Sequence, residues 1–202
     1  MKRNDRIFYA LALTLVFTIL YVSFGDFSSR CKEVRDKSVR LHILASSDSE
    51  EDQRVKLLVR DEILRKYGDI MAGCKNREDA KRKLSNLKDD IRASAIEKLR
   101  QEGKNDDVRV DFENIYFDSR EYSKNVIMPA GFYDALRVEI GKAEGKNWWC
   151  VMYPPLCIPV YCQKDAVVLT ERIESLRLEN DFRAKFAFVE MSEKIAKRLR
   201  NR

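Results

Sequence analysis

The sequence predicts an α+β fold in which helices pack on a mainly antiparallel sheet, with a transmembrane or signal helix at the N-terminus. Some segments have apolar residues at every second position, as half-buried strands do. In other segments the apolar residues recur every three or four positions, as on one face of a helix. A single long apolar run near the N-terminus has no counterpart elsewhere in the chain.

That apolar run covers residues 7–25 and holds 19 residues without a charge, within the ~17–25 that a membrane-spanning helix needs. Basic residues precede it, which predicts that the N-terminus stays inside and the rest of the chain is exported. Ser23 and Gly25 offer the small residues that a signal peptidase recognises, but the run is longer than a usual signal sequence. We therefore interpret residues 1–25 as either a cleaved signal peptide or a retained membrane anchor.

The exported part is predicted to be one domain, residues 39–202, which follows a polar linker over residues 26–38. Strands are predicted at residues 39–45, 108–113, 136–140 and 147–153. Gly141 and Gly145 bound a loop that is predicted to join the last two strands as a hairpin. Helices are predicted from a cap at Ser47 or Ser49 to Gly68, over residues 76–102, and in the last forty residues.

The charge pattern argues against a nucleic-acid partner. The formal net charge is +6 from 39 basic and 33 acidic residues; without the three basic and one acidic residues of the leader, 36 basic and 32 acidic residues remain, or +4. Basic and acidic residues alternate along the predicted helices, which is typical of a solvated surface. The one basic block, residues 197–202, is either a solvated helix end or a contact with an anionic membrane surface.

The sequence carries no pattern for binding a cofactor or a small-molecule substrate. It has neither a P-loop nor a dinucleotide-binding fingerprint. The five cysteines do not have zinc-site spacing, and the single histidine is far from most of them in sequence. We therefore predict no cofactor, no metal ion and no small-molecule substrate.

His42 is the only histidine, so acid–base catalysis near neutral pH would require it or a carboxyl group with a shifted pKa. One interpretation is a cell-envelope hydrolase in which His42, Asp48 and a nearby serine form a triad. The other is a histidine that is structural or binds a partner. Triad members usually come from separate segments, and helix capping already explains the serines, so we favour the second interpretation and predict that the protein is not an enzyme.

The segment 147–157, NWWCVMYPPLC, concentrates both tryptophans, two of the four prolines and two cysteines. In a strand, Trp148 and Trp149 point to opposite faces, so that either one is buried and the other is an aromatic anchor for a partner, or both are buried. Cys150 and Cys157 are seven positions apart and are a candidate disulfide if the chain turns at the two prolines.

Two blocks of the sequence carry a resemblance to a known family. They are VRLHILASSDSEEDQRVKLLVRDEIL, residues 39–64, and MPAGFYDALRVEIGKAEGKNWWCVMYPPLC, residues 128–157. Together they resemble the stage II sporulation protein R family of endospore-forming bacteria. The NWWCV string followed by PPLC is the most specific part of the resemblance.

The resemblance implies a signalling function. A protein of this family is made in the forespore and exported into the space between the two septal membranes. There it activates a membrane-embedded aspartic protease of the mother cell, which cleaves the inactive precursor of the sigma-E transcription factor. The resemblance thus implies a protein partner, membrane contact through residues 7–25, and no catalysis by the chain itself. We predict that the partner is contacted by surface residues of the family motif, namely Arg40, His42, Asp48, Arg137, Trp148 and Trp149.

Overall fold

The computed structural model describes residues 3–123, 126–155, 164–177 and 182–200, with six helices and six strands in these ranges. The helices are α1 (Arg3–Asp36), α2 (Glu50–Ala72), α3 (Arg77–Asn86), α4 (Lys88–Gln101), α5 (Lys164–Arg177) and α6 (Phe182–Arg200). The strands are β1 (Val39–Leu44), β2 (Val108–Phe117), β3 (Arg120–Ser123), β4 (Val126–Met128), β5 (Gly131–Ile140) and β6 (Asn147–Tyr153).

Four strands form one mixed sheet in the order β2-β5-β1-β6. The pairs β2–β5 and β1–β6 are antiparallel, whereas β1 and β5 are parallel. Strands β3 and β4 form a separate antiparallel pair. The predicted fold class, helices on a mainly antiparallel sheet, is confirmed.

The predicted hairpin between β5 and β6 is wrong, because β1 lies between these two strands. The connecting loop crosses the C-terminal end of β1, where the Gly145 amide donates a 3.0 Å hydrogen bond to the Ala45 carbonyl. A Cβ atom on Gly145 would lie 2.2 Å from the carbonyl oxygen of Ser47, so only glycine fits this crossing. Gly145, one of the two glycines that suggested a tight hairpin, is therefore needed where two backbone segments approach closely.

Helices α2, α3 and α4 cover one face of the sheet and enclose the larger core. Leu41 and Ile43 of β1 enter this core, together with apolar residues of all three helices. Of the two predicted capping residues, Ser49 caps α2, and the helix continues through Gly68 and ends at Ala72. The predicted helix over residues 76–102 is divided at Leu87, and both halves keep apolar side chains in the same core.

The opposite face meets the C-terminal part of α1 together with α5 and α6. Residues 26–38 were predicted as a linker, but α1 runs without interruption to Asp36. Phe27, Cys31 and Val34 are completely or almost completely buried in a second core. Their spacing of four and three places them on one helix face. Most of the charged residues that suggested a linker point outward, whereas Arg35 is buried and donates a hydrogen bond to the Ala130 carbonyl.

The first part of α1 has the character of a membrane segment. The large apolar side chains between Ile7 and Val22 are all exposed, since the folded domain does not cover them. By length and composition α1 can cross a membrane, and an N-terminal signal sequence has the same properties. The structure is therefore compatible with both interpretations of residues 1–25.

Phe27→Ala tests whether residues 26–36 belong to the folded core. The Phe27 ring packs edge-on against Phe186 at 5.1 Å between centroids, and removing a buried phenylalanine typically costs about 3–5 kcal/mol. We expect a loss of this size in the free energy of unfolding of the chain, measured by denaturation in detergent. Ser29→Ala, an exposed position on the same helix, is the control and should change stability little. Equal stability of both variants would restore the linker interpretation.

Candidate functional site

The sheet face that meets α1, α5 and α6 is divided into a covered half and an open half. Phe117, Tyr133 and Val151 belong to the covered half, because they lie in the second core. Alternation along the strands and the pairing register place eight other residues on the same face, toward the C-terminal ends of β1 and β5. We call these eight residues the open half of the sheet: Arg109, Asp111, Glu113, Arg137, Glu139, His42, Asn147 and Trp149.

Three of the predicted partner-binding residues lie side by side in this open half. His42 is paired in register with Arg137 of β5 on one side and with Trp149 of β6 on the other. The side chains of Arg109 and Glu113 are 72% and 44% exposed, whereas Arg137 is about one-third exposed. The open half is thus a mainly polar part of the sheet, in which His42 and Glu139 are buried and the arginines and Glu113 are accessible.

Ion pairs hold the arginines of the open half in place. The Glu139 carboxylate is nearly buried and contacts the guanidinium groups of both Arg109 and Arg137. Arg137 also lies 3.4 Å from the carboxylate of Glu113. Glu139 thus holds two arginines from neighbouring strands side by side through charge-assisted hydrogen bonds.

Trp149 is half-buried and is covered by an arginine from outside the sheet. The guanidinium carbon of Arg120, in β3, lies 3.8 Å from the centroid of the indole ring. The same ring contacts His42 at 5.8 Å and Phe117 at 5.9 Å between centroids. Arg120 itself is exposed, so an arginine and a tryptophan form one accessible surface beside the open half.

The side chain of His42 is buried beneath this surface, and its surroundings favour the neutral imidazole. Its Nε2 atom lies 2.8 Å from Oδ1 of Asn147. Its Nδ1 atom is buried without a hydrogen-bond partner among the described residues. Burial, which disfavours the imidazolium, is the main cause that lowers the pKa of His42 below its usual 6.5, and the nearby Arg137 acts in the same direction.

Arg40 was predicted to be a surface residue, and that prediction is wrong because its side chain is completely buried. The guanidinium lies 4.3 Å from the centroid of the Phe117 ring and 4.9 Å from that of Tyr133. It donates hydrogen bonds to the Tyr122 hydroxyl and, at 3.2 Å, to the Cys150 carbonyl. Arg40 therefore supports the fold from inside and cannot contact a partner directly.

Two further predicted residues lie away from the open half. Trp148 points to the opposite face, half-buried against the larger core, with the Arg60 guanidinium 5.0 Å from its ring. Asp48 lies in the loop after β1, where its exposed carboxylate accepts a 2.7 Å hydrogen bond from the Lys146 amide. The six predicted residues do not form one connected patch.

The structure does not assemble the alternative hydrolase triad. Ser46 donates a hydrogen bond to Asp106, Ser47 donates one to Asp52, and Ser49 accepts one from the Asp52 amide as the helix cap. These three serines and Asp48 make none of the described hydrogen bonds with His42. A nucleophile, a base and an orienting acid are thus not brought together around this histidine.

The predicted disulfide is only partly within the described residues. Cys150 is disulfide-bonded, and Cys31 and Cys74 are free and buried. Cys157 lies outside the described residues, so the pairing of Cys150 with Cys157 stays a prediction. Among the residues that the structure describes, no cluster of three or more histidine, cysteine or acidic side chains could hold a metal ion.

Acid should destabilise the folded chain through His42. Because the pKa of His42 is lowered by folding, the unfolded chain takes up the proton first as the pH falls below 6.5. We therefore expect the denaturation midpoint to decrease between pH 7.5 and pH 5, and expect His42→Gln to reduce that decrease. An unchanged pH dependence in the His42→Gln variant would show that His42 is not the group responsible.

The sequence of the chain is similar to that of known proteins. A family model described as Stage II sporulation protein R matches residues 35–162, a range that contains all four strands of the mixed sheet. The chain is 34% identical over 148 residues to the stage II sporulation protein R of Bacillus subtilis (strain 168). That alignment covers 73% of this chain and 66% of the relative, slightly less than two thirds of its length. No solved structure matches the chain. The chain belongs to the stage II sporulation protein R family.

Proposed function

We propose that this chain is an intercellular signal of sporulation that activates the membrane-embedded aspartic protease of the mother cell. The forespore exports the chain into the space between the two septal membranes. Binding of the chain then starts cleavage of the sigma-E precursor by the protease. Membership of the family supports a role in sporulation, and the protease and the site of export are part of the proposal.

The observation that carries this proposal is the open half of the sheet together with Arg120. An exposed arginine stacked on a half-buried tryptophan, beside arginines fixed by Glu139, is the composition of a protein-binding surface. No triad surrounds His42, the residue on which the hydrolase interpretation depended. We therefore propose that the chain acts by binding and not by catalysis.

The course of α1 supports an encounter at the membrane surface. If residues 7–25 stay in the forespore membrane, the continuous helix and its buried residues Phe27, Cys31 and Val34 keep the domain beside that membrane. A membrane-embedded protease in the opposing septal membrane would then meet a domain that is held in place. If the chain is cut after Gly25, residues 26–36 stay packed in the domain, which diffuses across the gap.

Arg120→Ala tests the proposed contact surface. Arg120 is exposed, so its removal should leave the fold intact while it uncovers the indole of Trp149 and deletes a cationic contact. We expect activation of the protease to fall about tenfold, the effect of losing a contact worth ~1.4 kcal/mol. The measurement is cleavage of the sigma-E precursor in membranes that contain the protease, after addition of purified chain.

Arg65→Ala is the matched control, because Arg65 is also an exposed arginine but lies on α2, in the helical layer on the other side of the sheet. Its activation should equal that of the unmodified chain. The proposed surface would be wrong if Arg120→Ala and Arg137→Ala both activated fully. The proposed function would be wrong if the unmodified chain gave no increase in cleavage.

A further inference from the structure

Helix α6 presents an apolar stripe to solvent. Phe186 and Val189 point into the second core. Phe188, Met191, Ile195 and Leu199 are 43%, 56%, 51% and 67% exposed, and their spacing of three or four places them on one helix face. Apart from Leu57 and Ile70 on α2, the other large apolar side chains exposed on the described residues belong to the membrane segment of α1.

The stripe begins where α1 leaves the membrane segment. The rings of Phe24 and Phe188 are in contact, with 4.7 Å between their centroids. Phe24 is the last large apolar residue of the uncharged run over residues 7–25. The apolar surface of the membrane segment and the stripe of α6 are therefore continuous.

The packing of α1 fixes the position of this junction. Phe27 contacts Phe186 three residues beyond Phe24. The guanidinium of Arg35, at the other end of the packed segment, lies 2.7 Å from the carboxylate of Glu193. Because α6 is attached to α1 at both places, the domain cannot turn the start of the stripe away from the membrane that holds α1.

The charges of α6 suit an anionic surface. The helix contains six basic and two acidic residues, a net charge of +4, and five of the basic residues are exposed while Lys185 is buried. Both acidic residues are paired, Glu190 with Lys194 and Glu193 with Arg35. Lys194 and Arg198 border the stripe beside Met191 and Ile195. An exposed apolar stripe with basic neighbours is typical of a helix that lies in the interface of an anionic bilayer.

We propose that α6 lies against the surface of the membrane from which α1 emerges, with Phe188, Met191, Ile195 and Leu199 in the headgroup region. The bound surface is a bilayer that contains anionic phospholipid. The domain then has two membrane attachments, one spanning and one interfacial. The interfacial contact remains with the domain if the chain is cut after Gly25.

Lipid quenching of introduced tryptophans tests this contact. Full-length chains with Met191→Trp or Ile195→Trp are reconstituted in vesicles of phosphatidylglycerol and brominated phosphatidylcholine, and the unmodified chain supplies the background of Trp148 and Trp149. Leu57→Trp is the control, because Leu57 is an exposed apolar residue on α2, in the opposite layer. We expect brominated lipid to remove most of the added fluorescence at positions 191 and 195 and little at position 57.

Two results would overturn the proposal. In the first, the tryptophans at 191 and 195 are quenched no more than the tryptophan at 57, and aqueous acrylamide quenches all three equally. In the second, positions 191 and 195 are shielded from acrylamide but are not quenched by brominated lipid, which would mean that protein covers the stripe.

Discussion

The burial of Arg40 in the central strand is the constraint on which the rest of the structure depends. Removing a guanidinium from water costs several kcal/mol, and no described carboxylate pairs with this one. Aromatic faces at cation–π distance and hydrogen bonds to Tyr122 and Cys150 offset that cost. These contacts come from β2, β3, β5 and β6, so Arg40 joins the small β3–β4 sheet to the large one. Arg120 is the first residue of β3, and this junction holds it over Trp149.

The sequence predicted where the strands and helices lie better than it predicted which strands are neighbours in the sheet. Alternation located β1, β2 and β5, because the pattern of side chains reports which residues face a core. It carries no information about which strand pairs with which, and the glycines at 141 and 145 fitted a hairpin as well as a crossing loop. The insertion of β1 between β5 and β6 depends on long-range pairing of Leu41 with both Leu136 and Cys150. The many charged residues at 26–38 wrongly suggested a linker. The spacing of Phe27, Cys31 and Val34 already had the period of a packed helix.

The site was predicted in part. Arg137 and Trp149 belong to one surface, with His42 directly beneath it, because β1 has β5 and β6 as neighbours. Arg120 and Glu139 were missed, since the position of Arg120 depends on the β3–β4 pair and that of Glu139 on a cross-strand ion pair. Arg40 has the same sequence pattern as an exposed strand arginine. Only the aromatic residues that surround it in three dimensions distinguish a buried arginine from an accessible one.

A helix that can cross a membrane, a sheet with one open half and an exposed arginine on a tryptophan support our proposal that the chain is a signal that acts by contact. We propose that the surface around Trp149 touches the protease. Photo-crosslinking from a reactive residue at position 120, with position 65 as the control, tests this most directly in membranes containing the chain and the protease. We expect a covalent complex with the protease from position 120 and none from position 65. Crosslinking from position 65 but not from position 120 would contradict it.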